Sequence, residues 1–509
     1  MGEYLLGIDI GTDSSRALIF DKRGKTIASS QVSQSVICTR PGYACQNPQQ
    51  WWEAVVYNCR SVLAQTNIKP SEIAAIGVCG QMHAPVPMRG MELIPGYVQL
   101  WCDKRAEEYC DALNKEEGEI LLNKTGNRPL PSWTGFKIKW VKINQPDVYG
   151  EATKFLSAKD FINFKLTGVQ CTDLSEASGT ALLDIQTFRW SHEIAELLGL
   201  EIDKLPDIVP STQVIGKVTK AAAIETGLVE GIPVVAGGGD MACLLLGAGL
   251  TRVGRACDVA GTACDISVFV TEPCVDYRLM NLYHVVPGWF TFGILDSGGS
   301  SYKWVRELVS GSLTDGRDTN RGLDYDELNR LAEVVGPGAD GLIYLPYLMG
   351  ERTLGSAYSR GVFFGLYLGH RAGHLARAVI EGITYDLKQS FEIIRSHGVH
   401  IEEVRFVGGG ARSPLWGQIK ADIYDCPVVA VEQFEGGALG AAILAGAGVG
   451  MFKDPAEAAE EMIKVRWQFR PDPERARIYK SYYSLFKRLH DLLQPLFTEL
   501  HSLQSKGLA

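Results

Sequence analysis

Apolar runs of strand length alternate with amphipathic stretches along this chain, and glycine-rich turns cut between them. Residues 4–35 read as strand, turn and strand. Leu5, Leu6, Ile8 and Ile10 lead into Gly11-Thr12, and Ala17-Leu18-Ile19-Phe20 follows. The turn Asp21-Lys22-Arg23-Gly24-Lys25 then leads to Thr26-Ile27-Ala28. Over residues 48–66, Trp51, Ala54, Val55, Cys59, Val62 and Leu63 recur at helical spacing and predict an amphipathic helix. Residues 73–80 read as a buried strand that ends at Gln81-Met82-His83, and residues 232–236 as another that ends in Gly237-Gly238-Gly239-Asp240. Met241 to Leu250 has helix character. The strand Val404-Arg405-Phe406-Val407 runs into Gly408-Gly409-Gly410-Ala411-Arg412-Ser413. Residues 474–502 predict a long helix with Ile478, Tyr482, Leu485, Leu489 and Leu492 in step and a kink at Pro495. Strands alternating with helices imply α/β layers, and a hairpin opening each half predicts mixed rather than all-parallel sheets.

One short pattern occurs twice. Leu5-Leu6-Gly7-Ile8-Asp9-Ile10-Gly11-Thr12 and Asp258-Val259-Ala260-Gly261-Thr262 are each an apolar strand, a tight Gly-Thr turn and the start of a second strand. Such a turn points backbone N–H groups and hydroxyls at one spot, which suits a phosphate. Asp9 beside it can hold a magnesium ion through water. Two copies suggest a duplicated domain closing on a nucleotide. Other phosphate motifs fail: Gly24-Lys25-Thr26 lacks the first glycine of a Walker A loop, and the Gly408 run lacks the last glycine of a dinucleotide fingerprint.

Composition narrows the setting. The 509 residues allow two or three domains, and 46% apolar with 21% charged residues is ordinary for a globular enzyme. A net charge of −9 with no basic run argues against nucleic acid as a partner. No signal peptide and no membrane helix is indicated, and the expectation is a cytoplasmic protein with no membrane partner. The twelve cysteines form no Cys-x-x-Cys pair and read as reduced buried thiols.

The chain resembles the FGGY carbohydrate kinases, nearest their xylulokinase-like branch. Residues 132–144, from Ser132-Trp133-Thr134-Gly135 to Trp140-Val141-Lys142-Ile143-Asn144, are similar to the first family signature, with Ile143 where a polar residue is usual. Gly361-Val362-Phe363-Phe364-Gly365-Leu366, then His374-Leu375 and Ala378-Val379-Ile380-Glu381, match the second. The likeness covers roughly residues 4–500. It implies two ribonuclease-H-like domains of the actin, Hsp70 and hexokinase type, with mixed sheets flanked by helices and the active site in the cleft between them. The expected division is 1–250, carrying the sugar site and first phosphate turn, and 251–509, carrying the nucleotide site.

The resemblance also implies roles. Asp240 would be the general base that takes a proton from the sugar hydroxyl; read from its position alone, it is equally an N-cap for the helix at Met241, and both roles can coexist. Gln81, Met82 and His83 would meet the sugar, His83 otherwise being a core histidine. Asp103, in Trp101-Cys102-Asp103-Lys104-Arg105, would accept sugar hydroxyls or else form an ion pair with Arg105. Gly11, Thr12, Ser15, Arg16, Gly261 and Thr262 would surround the terminal phosphates of ATP, with Mg2+ on Asp9. Gly409, Gly410 and Ala411 match the adenosine loop, and the stretch from Glu435 to Ala442 the small-residue helix beside it. Two departures stand out: Met241 replaces an Asn or Gln that reaches the substrate in many xylulokinases, and Asp13 puts a carboxylate near the phosphates. The expected reaction is ATP-dependent phosphorylation of a primary hydroxyl of a ketopentose such as D-xylulose. Alternatives are another pentulose, a sugar alcohol, a sugar acid such as gluconate, a non-catalytic sugar sensor, and an ATP-driven scaffold. A homodimer is the expected assembly.

Overall fold

The computed structural model describes residues 2–311, 323–351, 353–354, 356–432 and 436–506. The chain forms two compact units. One comprises residues 1–251, 271–290 and 435–463, and the other residues 252–270, 291–434 and 464–509.

The first unit is built on a mixed sheet of β1 (Tyr4–Ile10), β2 (Ser14–Asp21), β3 (Thr26–Ser33), β4 (Ile73–Gly80), β5 (Val214–Lys217) and β6 (Pro233–Val235), in the order β5-β6-β4-β1-β2-β3. β1 runs antiparallel to β2 and parallel to β4. Every residue of β4 is buried, as expected of a central strand covered on both faces. Helix α1 (Pro48–Ala64) starts where sequence rules place it: the Asn47 side chain accepts from the Gln49 N–H, and Pro48 fills a first-turn position that needs no donor. Its Trp51, Trp52, Val55, Cys59 and Val62 enter the core beside Ile8, Ile19 and Ile76.

A helix from late in the sequence, α6 (Gly436–Gly448), also belongs to this unit. It lies on β1 and β4 at backbone distance. A Cβ on Gly7 would stand 2.1 Å from the Ala438 carbonyl oxygen, and one on Gly77 1.9 Å from that of Ala441. Only glycines on the strands allow that approach. The small-residue run expected to flank a nucleotide loop thus packs on the sheet that carries Asp9. Glu435 lies outside the described residues.

The second unit repeats the plan with β7 (Gly254–Ala260), β8 (Cys264–Val270), β9 (Trp289–Leu295), β10 (Ile401–Gly408), β11 (Val428–Val431) and β12 (Val465–Phe469), in the order β9-β8-β7-β10-β11-β12. Helices α3 (Gly298–Val309), α4 (Ala372–Ser396), α5 (Pro414–Tyr424) and α7 (Pro473–Lys506) accompany it. In α4, Arg377 forms a buried 2.7 Å ion pair with Glu381, and the Tyr479 hydroxyl of α7 donates to the same carboxylate at 3.0 Å. Helix α7 continues through Pro495, where the sequence predicts a kink. Its buried residues include Tyr479, Tyr483, Phe486, Leu489, His490 and Phe497, so Leu489 of the expected stripe does face inward. Ile478, Leu485 and Leu492, expected to face inward, are 39%, 39% and 69% exposed. The two stripes share a spacing and differ by one residue, about 100° around the helix.

All twelve cysteines are thiols outside any disulfide, ten of them buried. Among the described residues no helix is long and apolar enough to cross a membrane.

Candidate active site

Three adjacent strand ends of the first unit build the site. β1 carries Asp9 and ends in a turn closed by the Gly11 N–H donating to the Ser14 carbonyl at 3.0 Å. Arg16 stands directly opposite Asp9 in the β1–β2 register, and Cys79 beside it on β4. The Cys79 thiol donates to Asp9 Oδ1 at 3.5 Å. The third end follows β6. Gly237 turns in the left-handed region, with φ of 71°, and Gly238 and Gly239 pair with Cys79 and Gly80. Asp240 then opens helix α2 (Asp240–Gly247).

Burial pushes the Asp240 carboxyl up to about 7, and the nearby Asp9 carboxylate adds to it, while the Met241 N–H, donating to Oδ1 at 2.7 Å, opposes the shift. A carboxyl tuned to neutral pH can both take and return a proton under ordinary conditions. Asp240 is itself the first helical residue and Gly239 the N-cap, with no side-chain capping bond, so the N-cap expected of Asp240 is not formed.

The Gly11 turn is braced by amides and indoles. The Thr12 hydroxyl donates to Gln81 Oε1 and accepts from Trp101 Nε1, each at 3.0 Å. Gln81 Nε2 donates to Gln46 Oε1 at 2.8 Å, and Gln46 Nε2 to the Thr12 carbonyl at 2.7 Å. Thr12's proton is thereby committed inside the protein, and a ligand meets the turn's backbone rather than a free hydroxyl donor. Gln81 is 1% exposed and spends its amide on this brace, so it supports the turn from beneath. Gln46 carries no motif; only the fold brings it here.

Met82 packs against the strand end before Asp240, since a Cβ on Gly239 would lie 2.7 Å from its sulfur. The His83 ring stands edge-on to Trp133 with centroids 5.2 Å apart, and Nδ1 lies 2.8 Å from the Gly179 carbonyl oxygen. Trp133 belongs to the first signature, so a sequence signal for it existed. Met241 is half-buried beside Asp240.

Several expected site residues are placed elsewhere. Asp103 is 1% exposed. Its two oxygens accept from Arg105 at 2.7–3.0 Å and from the Ala44 N–H at 2.7 Å, which leaves no open acceptor for a sugar. The ion-pair reading of Asp103 is therefore the one the geometry realises. Ser15 is fully buried, accepting from Gln34 Nε2 just past β3 at 2.8 Å, so its hydroxyl is engaged within the protein rather than facing a phosphate. Ala411 is buried as well, beneath its loop. Asp13 is exposed.

In the second unit, Gly261 and Thr262 are exposed, and their carbonyls accept from the Gly299 and Ser300 N–H groups at 3.1 and 3.0 Å. Gly409 is exposed and Gly410 half-exposed, at the end of β10.

Comparison with known proteins follows the same map. Residues 4–247 match the N-terminal domain of the FGGY family of carbohydrate kinases, and residues 259–449 its C-terminal domain. A xylulose kinase of Bacillus subtilis (strain 168) is 32% identical over 504 residues, 98% of this chain and 99% of that one. The solved structure of a ligand-bound xylulose kinase from Lactobacillus acidophilus superposes with a TM-score of 0.90 at 26% identity, covering 98% of this chain and 99% of that one. A gluconate kinase structure from the same organism gives 0.89, also at 26% identity and with the same coverage of both chains.

Proposed function

The chain belongs to the FGGY family of carbohydrate kinases, ATP-dependent enzymes that phosphorylate sugars, and from that premise we propose that it phosphorylates a primary hydroxyl of a ketopentose such as D-xylulose. Asp240 is the general base, and Met82, His83 and Met241 contact the sugar. The observation that carries the assignment is the carboxyl of Asp240, raised to about 7 at the mouth of a glycine-lined strand end and next to a second carboxylate. Phosphoryl transfer asks the protein for a positioned acceptor and a charge-neutralised donor, with little covalent chemistry. A non-catalytic sensor of this fold would not need Asp9 and Asp240 together.

The backbone of Gly11-Thr12, with Arg16, serves the phosphate end in the first unit. Gly261-Thr262 in the second unit is a turn of the same kind, and Gly409-Gly410 is assigned to the adenosine. Magnesium fits the donor set. Among the described residues no three His, Cys, Asp or Glu side chains form a complete metal site. Asp9 with Asp240 nearby instead suits an ion that takes its other ligands from water and phosphate. Bound there, magnesium supplies charge neutralisation to the nucleotide's phosphates.

ADP release, coupled to a detector and measured over a panel of ketopentoses, sugar alcohols and gluconate, is the test. Turnover stimulated most by a ketopentose supports the proposal. Stimulation by gluconate instead would move the substrate to a sugar acid, the reading to which the gluconate kinase likeness points. Sugar binding without ADP release would remove the catalytic assignment.

A further inference from the structure

His83 and Gly239 are both held by one short helix that has no part in the chemistry. His83 adopts a φ of 72°, the left-handed region that a residue with a Cβ disfavours. Buried side chains grip its backbone at both ends. Its N–H donates to Glu176 Oε1 at 3.3 Å, and its carbonyl accepts from Lys137 Nζ at 2.9 Å. The ring is fixed as well, through Nδ1 and the Gly179 carbonyl, and a Cβ on Gly179 would lie 2.6 Å from His83 Cε1. A backbone conformation of this kind persists only where its surroundings over-determine it.

Immediately before Glu176, the Ser175 hydroxyl accepts from the Gly239 N–H at 2.9 Å, one residue ahead of Asp240. The same hydroxyl donates to Asp173 Oδ2 at 2.6 Å. Asp173 is anchored in turn by the Ser211 hydroxyl at 2.8 Å and by Lys159 at 3.0 Å. Lys137, Lys159, Asp173, Ser175 and Glu176 are all 3% exposed or less, so water does not compete for these bonds. The helix Leu174–Ser178 therefore touches the strand end that aims Asp240 and, through the next residue, the histidine beside the sugar.

We propose that Ser175 and Glu176 are positioning residues that set the base and the sugar-contacting histidine at a fixed separation, each acting on one of them. This rests on the roles given above to Asp240 and His83. Substrate misplaced by about 1 Å loses roughly a hundredfold in rate, so a rigid strut between the two groups has a direct catalytic use. Burial, with Asp160 nearby, holds the Glu176 carboxyl well above the usual carboxylate range. A neutral glutamine then reproduces its shape and its acceptor.

Steady-state kinetics of the full chain, corrected for the folded fraction, tests the strut. Ser175→Ala is expected to lower kcat roughly tenfold with the sugar KM within about twofold, because only the aim of Asp240 loosens. Glu176→Met is expected to raise the sugar KM roughly tenfold, and Glu176→Gln to restore it. Should Glu176→Met fail to fold, Glu176→Asp withdraws the same acceptor by one methylene and carries the same expectation. Variants that lose melting temperature while kcat and KM per folded molecule stay at wild-type values overturn the proposal, and so does a Glu176→Gln enzyme as impaired as Glu176→Met. His83→Ala separates the two layers by calorimetry with sugar alone. Unchanged sugar affinity in that variant overturns the role of His83 itself. Weakened affinity there, with normal affinity in Glu176→Met or Glu176→Asp, overturns only the strut.

Discussion

The two Gly-Thr turns stand on the same ladder and carry different chemistry. In the first unit Ile10 pairs with Ser15 on one side and Gly80 on the other; in the second, Ala260 pairs with Cys264 and Gly408. One step back along the strand, Asp9 faces Arg16 in the first unit and Val259 faces Asp265 in the second. The first turn closes onto Ser14, and the second, one residue shorter, onto Ala263. Thr12 is wired into a buried brace, whereas Thr262 is exposed. The two turns thus share their place on the ladder but differ in length and in the bonds that close them.

The sharpest break of this comparison uses two carboxyls that are equally perturbed. Burial, above all else, pushes Asp240 and Asp265 each up to about 7. With Asp240 as the proposed base, Asp240→Asn is expected to cost roughly 10²–10⁴-fold in kcat and Asp265→Asn only a few-fold. Wild-type kcat/KM for the sugar should climb about tenfold per pH unit below about 7 and level off above it, since the base acts ionised. Stability runs the other way. With the folded pKa raised, the native state holds protons the unfolded chain has lost, so stability falls as pH rises from about 4 to about 7. Neither Asn variant titrates, and both should melt higher than wild type at pH 8, with the gain fading toward pH 4. Equal kinetic losses at the two positions would erase the distinction between the turns.

Asp9→Asn comes next in size, with a loss on the order of a hundredfold at saturating sugar and a weaker response to magnesium. It also removes the second cause of the Asp240 shift, so the inflection in the pH–rate profile should move below that of wild type. A magnesium titration and a pH profile that both overlay the wild type would reduce Asp9 to a structural residue.

Much of this was legible in the chain because it is backbone chemistry. Glycines at 11, 237–239 and 261 announce turns and close approaches, and strands such as residues 73–80 have one reading when every position is apolar. What stayed hidden depends on which buried partner is nearer. Asp103 could serve a sugar or Arg105, and only the fold brings Arg105 and the Ala44 N–H onto both of its oxygens. Gln46 reaches Thr12 from a two-residue strand, Cys45–Gln46, that no pattern marks. The stripe on α7 has the expected spacing but is turned by about one residue: Leu489 is buried as expected, while Tyr479, Tyr483 and Phe486 take the places expected of Ile478, Tyr482 and Leu485.

The two threonines give a smaller, cleaner contrast. Thr12→Ala unmakes the bonds to Gln81 and Trp101, which are buried or partly so, and should destabilise the protein by about 1–2 kcal/mol in urea titration, with kcat reduced severalfold. Thr262→Ala touches an exposed side chain and should leave stability within about 0.5 kcal/mol while raising only the KM for ATP. If Thr262→Ala proves as destabilising as Thr12→Ala, the second turn is braced like the first and the contrast between them fails.

Met241 gives the smallest effect and the finest discrimination. It follows the base on α2 and is half-buried, and its thioether packs well but offers no ordinary hydrogen bond. A site that binds a hydroxyl through a matched polar group rejects the analogue lacking it strongly, whereas an apolar contact discriminates weakly. On the proposed Met241 contact, one sugar hydroxyl there would be absent, turned away or held by water, and a deoxy or epimeric analogue should be accepted nearly as well as D-xylulose. Met241→Gln places an amide there at similar volume. It should raise kcat/KM for D-xylulose relative to those analogues by roughly tenfold, the worth of one hydrogen bond of about 1 kcal/mol or a little more. The change should leave the pH profile set by Asp240 in place, because an amide adds no charge. Identical sugar ratios in the two enzymes, measured by competition with product mass as the readout, would mean that position 241 does not read the sugar and that specificity is set on the Met82–His83 side of the site.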